Sequence, residues 1–258
     1  MVLHFTKTSC EGEHLRRFYT SSWQQSDSPS AMLVLRALES TLALGILLWS
    51  LIEAAVPQWI VYLTTWGIIL VFAMGASGLI VSICALKKKL PDVGKPPWYV
   101  MMYWVFYNIS VTLAILVTML YWKLLSKNAS KFSIHERYFW LETSLHGFNA
   151  VIVLIEFFAS RTPVRLAHIY QPLLLGVVYA VFSKIYQEAG GTGAYGEPYI
   201  YKFLDWSEPR SSFIMTIGTA IITIFLYVTL WAFAFARDML SRVCCSTRHR
   251  TTEHSILI

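Results

Sequence analysis

Charge is what this sequence has least of: 14% of its 258 residues are Asp, Glu, Lys or Arg, where a soluble domain carries about a quarter. With 56% hydrophobic residues and a mean hydropathy of +0.52, the chain is too apolar, and too evenly so, to be a soluble domain with one anchor. The strict apolar–polar alternation of an outer-membrane barrel strand is also missing, which excludes that architecture. No internal repeat of the kind that builds two-halved transporters is visible. No string of acids follows one path, as a proton pump would want. Metal-ligand clusters are lacking too: His146 has only Glu142 near it in sequence, and His135 and His168 fall at opposite faces of the membrane. No metal and no cofactor is therefore expected. The chain does not open on a basic, apolar, small-residue series, so a cleaved signal peptide is not expected.

What the chain does have is long apolar segments, at about 32–56, 58–86, 98–125, 139–159, 169–187 and 211–236. Most reach the roughly 20 residues that a tilted helix needs to cross the hydrocarbon core. The expected fold is an all-α integral membrane protein, a bundle of six transmembrane helices with both termini cytosolic. Residues 1–31 form a polar cytosolic arm, 32–236 the transmembrane domain and 237–258 a basic cytosolic tail. The abundant aromatic residues, ten of them tryptophan, suit a surface that meets two lipid–water interfaces.

Orientation follows from the basic residues. Of the 21 lysines and arginines, thirteen fall on the side of the termini and six on the other, with Arg36 and Lys184 inside spans. The net charge of +6 is accordingly read as a topology signal, and no nucleic-acid partner is expected. Asn128-Ala129-Ser130 then lies on an outer loop as a glycosylation acceptor. The four cysteines, Cys10, Cys84, Cys244 and Cys245, fall on or near the cytosolic side, where thiols stay reduced. Cys244 and Cys245, beside Arg242 just past the last span, are candidates for palmitoylation, with two inert thiols as the alternative. The expected partners are membrane lipids, joined by a protein partner at the outer loops.

The fourth segment raises a chemical question. In LETSLHGFNAVIVLIEFF, residues Glu142, His146, Asn149 and Glu156 are spaced by four, three and seven, which puts them on one helix face. Ionisable groups at such depth cost about 2.5–3.5 kcal/mol each to insert and face the bundle interior. Glu156 needs a partner, and Arg36, at similar depth in the first span, is the candidate. Lys184 and Glu142 either pair or snorkel.

His146 lies about seven residues in from the outer end of its span, and Thr64 and Thr65 stand equally deep in the second. All are near 10 Å below the interface at about 1.5 Å per residue. One reading is catalytic, with a threonine nucleophile, His146 as its base and Asn149 supporting. The other is helix–helix glue, in which His146 and Asn149 bond to hydroxyls across the bundle. The outer loop from Glu188 to Pro209, with four glycines and three tyrosines, is either a lid over a cavity or an ordered cap.

The run from His146 to Trp206 resembles the rolling stone family of animal membrane proteins. It carries H-x-x-N, Y-x-x-F-S-x-I-Y-x-x-A-G-G-T and Y-x-x-L-D-W, and the resemblance extends back through YLTTWG and WYVMMYWVFYNIS. It implies a multipass plasma-membrane protein acting in cell–cell fusion of the myoblast type. A more distant similarity, through Y-L-T and H-x-x-N, is to the androgen-induced membrane proteins that hydrolyse fatty-acid esters of hydroxy fatty acids. That similarity implies a catalytic pair at Thr64 and His146, and the sequence departs from it by adding Thr65 and the long glycine-rich loop.

Overall fold

The computed structural model describes residues 15–54, 56–90, 95–125 and 137–256. Cys10, His135 and Asn128, with its acceptor triplet, lie outside the described residues, as does the side chain of Cys245. Six helices are long and apolar enough to cross a membrane: Ser30–Glu53, Leu63–Leu86, Trp98–Leu124, Phe139–Ala159, Leu166–Glu188 and Pro209–Cys244. They match the six segments expected from hydropathy, and the only β pairing among the described residues is an isolated Ser21–Ser160 bridge. The fold is an all-α membrane bundle.

In chain order the α-helices are α1 (Ser30–Ala54), α2 (Leu63–Leu86), α3 (Trp98–Leu120), α4 (Arg137–Thr143), α5 (Asn149–Ala159), α6 (Tyr170–Glu188) and α7 (Pro209–Ile256). The fourth span is α4 and α5 joined by a π-helical turn, Ser144–Phe148, and a second π-turn, Tyr121–Leu125, extends α3. Proline marks two of the starts. Pro57 opens the 3-10 turn Pro57–Val61 ahead of α2, and Pro97 precedes α3, where a missing N–H leaves no bond unmade.

α3 is the central helix. Of its apolar window 67% is buried, against 17% for α7 on the periphery. It packs on α2, α5, α6 and α7. Its inward side, including Val100, Tyr103, Tyr107, Val111 and Ala114, joins Ile68, Val71 and Met74 of α2 and Val153 and Phe157 of α5 in one core. α1 lies against α2 at very short range because α2 presents glycine there. A Cβ on Gly75 would stand 2.9 Å from Ser40 Oγ, and one on Gly78 would stand 3.0 Å from the Arg36 side chain. Small residues that let backbones approach are the usual device for packing helices in lipid.

The N-terminal segment, expected as a cytosolic arm, is packed into the bundle over its described part. Leu15 and Phe18 are buried in the main core. Ser22 Oγ donates to Ser160 O at 2.8 Å, Trp23 Nε1 to Phe158 O at 2.8 Å, and Arg17 pairs with Asp238. The tail expected from residue 237 onward continues α7 without a break, and Arg237 is buried, donating to Phe157 O and Thr162 O. The described N-terminal segment and residues 237–241 of α7 therefore meet on one side of the bundle. We call it the basic end, and the opposite side the cap end.

Candidate functional site

The 188–209 connection closes the cap end. α6 stops in a glycine-dependent turn. Gly190, at φ +81°, donates to Gln187 O at 3.0 Å, and Gly191 donates to Tyr186 O at 2.9 Å. That is a Schellman cap, whose left-handed residue is cheapest as glycine. The chain then folds back over the bundle mouth. Ala194 N–H donates to Tyr62 Oη at 2.9 Å, Leu63 N–H to Tyr201 Oη at 3.1 Å, and Trp206 Nε1 to Ser183 Oγ at 3.0 Å. Asp205 accepts from Gln187 Nε2 at 2.6 Å and from Ser207 through both its backbone and its hydroxyl. Those bonds hold its carboxyl below the usual range. Together these bonds tie the connection to the start of α2 and the end of α6.

Beneath it is a cavity of about 380 Å³ between α2, α3, α6 and α7. Tyr201, Phe203 and Leu204 of the cap roof it, and Thr64 and His146 both line it. The two threonines are separated by their bonds. Thr65 is buried and donates to Trp59 O at 2.7 Å, committed to the turn before its own helix. Thr64 lies on the cavity side, where its hydroxyl meets the Tyr201 phenol. Burial pushes that phenol up to about 12, so it remains a protonated donor throughout the physiological range.

His146 comes from the π-helical turn, a widened turn of the kind that recurs at functional sites. Its ring stacks on Tyr121, with centroids 3.5 Å apart and planes 4° from parallel. Nε2 lies 3.3 Å from Glu142 Oε2. Nδ1 is buried and has no hydrogen-bond partner among the described residues, and the same holds for both amide atoms of Asn149. Asn149 Nδ2 is 3.6 Å from where a Gly67 Cβ would stand, which puts Asn149 and Gly67 at one level. Thr64 and His146 each lie three residues nearer the cap end on helices that run the same way, so they share the next level up. α2 packs against both the π-turn and α5, and Thr64 and His146 line the one cavity.

The rest of the polar stripe is structural. Arg36 Nε and Nη2 donate to Glu156 Oε1 at 3.1 and 2.8 Å, the pairing expected from depth. Nη1 donates to Phe18 O, Gly78 O and Ser82 Oγ, and Nη2 also donates to Tyr103 Oη. Glu39 joins this cluster beside Glu156. Lys184 and Glu142 do not pair: Lys184 reaches Glu188 at 3.4 Å, half-exposed, while Glu142 holds His146. No group of three or more His, Cys, Asp or Glu able to hold a metal occurs among the described residues. Cys84 and Cys244 are free thiols, Cys244 exposed.

Tyr201 and Tyr121 belong to this site although the Thr/His spacing does not select them, while Glu142 is already marked by the stripe it shares with His146. Tyr201 stands out in the sequence only as the first residue of Y-x-x-L-D-W, and nothing in one sequence shows that the loop folds back onto Thr64.

Fold and site together define a six-span all-helical membrane protein with a capped cavity set among its helices. The sequence model described as Protein rolling stone matches residues 6–251, and the chain belongs to that family. Protein rolling stone of Drosophila melanogaster is 24% identical over 235 residues, covering 87% of this chain and 84% of that protein. No solved structure matches.

Proposed function

We propose that this protein binds lipid esters in its capped cavity and hydrolyses them with Thr64 as nucleophile and His146 as base. The observation that carries the reading is that both side chains line one cavity while the buried Nδ1 of His146 is uncommitted. A threonine hydroxyl is a weak nucleophile until a positioned base takes its proton, and that base works best when a third group orients it. Glu142 is placed to do so through Nε2–H.

Thr64 Oγ attacks the ester carbonyl carbon as its proton passes to His146 Nδ1. The tetrahedral oxyanion then collapses, and the departing alkoxide takes that proton and leaves as the alcohol. Water attacks the acyl-threonine, gives one proton to His146, and expels Thr64 Oγ, which recovers its proton from His146. The second product is the fatty acid. On this reading the Tyr201 phenol, beside Thr64, is the donor to the developing oxyanion.

Labelling by a fluorophosphonate hydrolase probe tests this in the purified protein. Labelling is expected in wild type and Thr65→Ala and absent from Thr64→Ala and His146→Ala, all with equal melting temperatures. Labelling that survives Thr64→Ala, or fails in wild type, removes the hydrolase reading.

A second reading places the protein in cell–cell fusion at the plasma membrane, with the cap facing outward as a contact surface. Tyr195 supports it: the residue is 92% exposed at the tip of an otherwise tied-down loop. On this reading Tyr195→Ala reduces fusion of cells expressing the protein at equal surface level, while Thr64→Ala leaves it unchanged. The opposite pattern assigns any fusion role to the cavity.

A further inference from the structure

Given a cavity that serves as a substrate site, its lining also selects among lipid esters. No lysine, arginine, aspartate or glutamate lines it. Three of the hydroxyls away from Thr64 donate within their own helices, Thr112 to Asn108 O, Thr216 to Ser212 O and Thr223 to Thr219 O, each at 2.8 Å, and Thr219 also lines the cavity. Thr64, Tyr201, Tyr121 and His146 put polar atoms on the cap end of the wall, and the remainder, Thr219 apart, is mostly hydrocarbon. A carboxylate or phosphate placed here would meet no lysine or arginine, and an unpaired charge taken from water into such surroundings is strongly rejected.

The cavity is reached from the side. Gly176 and Val177 of α6 and Ile224 of α7 line it and are also exposed on the bundle surface. A Cβ on Gly176 would meet nothing within 4 Å. Along α7 the lining runs from Met215 to Ile224, roughly 13 Å at the helical rise per residue. That is a slot for one acyl chain, with its ester at the capped end.

We propose that the ligand is an uncharged single-chain lipid ester, an acyl group on a neutral alcohol, entering from the bilayer through the seam between α6 and α7. Anionic and phosphate-bearing lipids are excluded. The proposal rests on the substrate-site reading, but the test reads binding alone, so it does not depend on turnover. Protein in nanodiscs is loaded with a fluorescent monoalkylglycerol ether, which cannot be hydrolysed, and competed with oleyl glycerol ether, oleate or oleoyl lysophosphatidic acid.

The expected result is displacement by the neutral ether at least tenfold tighter than by either anion. Gly176→Trp and, independently, Ala220→Trp should each weaken it about tenfold at unchanged melting temperature. Equal or tighter binding of the anions overturns the neutral class. Unaltered binding in both tryptophan variants overturns the lateral entry. Selective ether binding by a protein that no fluorophosphonate labels retains this inference and removes the chemistry of Thr64 and His146. Labelling accompanied by preferential binding of anions does the reverse.

Discussion

Arg36 draws together acceptors that no single helix could supply: two carbonyl oxygens, from Phe18 and Gly78, with Ser82, Tyr103 and Glu156. It is buried, as is Glu156, so truncating either partner leaves the other's charge stranded. Breaking such a pair costs roughly 3–5 kcal/mol. Glu156→Gln should therefore lower the unfolding free energy of the detergent-solubilised protein by about 3 kcal/mol. Glu39 is different. Its carboxyl oxygens and Glu156 Oε2 have no hydrogen-bond partner among the described residues. The guanidinium bonds Glu156 through two of its nitrogens and makes no hydrogen bond to Glu39. Glu39→Gln should change stability by less than about 1 kcal/mol. A loss as large as that of Glu156→Gln in the same thermal or chemical unfolding experiment would mean that Arg36 depends on Glu39 as much as on Glu156.

Among the elements, the cap is held by hydrogen bonds and aromatic contacts that include Tyr62 with Tyr201, 5.7 Å between centroids, and Trp206 with Phe213, 5.6 Å. Asp205 is its titratable lock. Hydrogen bonds from Gln187 and Ser207 depress its folded-state pKa. Its stabilising contribution is therefore complete above the unfolded aspartate value of about 4 and is lost as pH falls through the lower folded value. Hydrogen exchange of residues 189–208 should be slow and pH-independent in its protection near neutrality, and protection should fall as pH drops below about 4. Asp205→Asn should reduce protection already at neutral pH and flatten the acid response. Acid loosening of equal size in that variant would assign it to another carboxyl group.

For the whole molecule, the basic end is closed by the described N-terminal segment and residues 237–241 of α7. Arg17 and Asp238 pair across it, Arg237 bridges α7 to the link after α5, and Ser241 Oγ donates to Ser22 O. If the asymmetry of lysine and arginine sets orientation as it does in most multipass proteins, this end faces the cytosol and the cap faces outward. A glycan on Asn128, removed by the substitution Asn128→Gln, and labelling of Lys202 by a membrane-impermeant reagent on intact cells are then expected. Modification of Lys87 and Lys88 but not Lys202 from outside would invert the assignment.

The six spans were legible because crossing a bilayer is a local requirement: about 20 apolar residues suffice, whatever their neighbours. The polar stripe was legible for the same reason, since helical spacing alone puts Glu142, His146, Asn149 and Glu156 on one face. Depth counting along α1 and the fourth span also suggested Arg36 for Glu156, and the structure joins them. Other features required contacts between residues far apart in the chain. Thr64 differs from Thr65 only because the turn before α2 takes up one hydroxyl and the cap meets the other. The described N-terminal segment reads as polar, yet it packs into the bundle because Leu15 and Phe18 reach a core built from α2, α3 and α5. The cavity belongs to no segment at all: it is the space that four helices and a returning loop leave unfilled, and only tertiary packing decides where such a space falls.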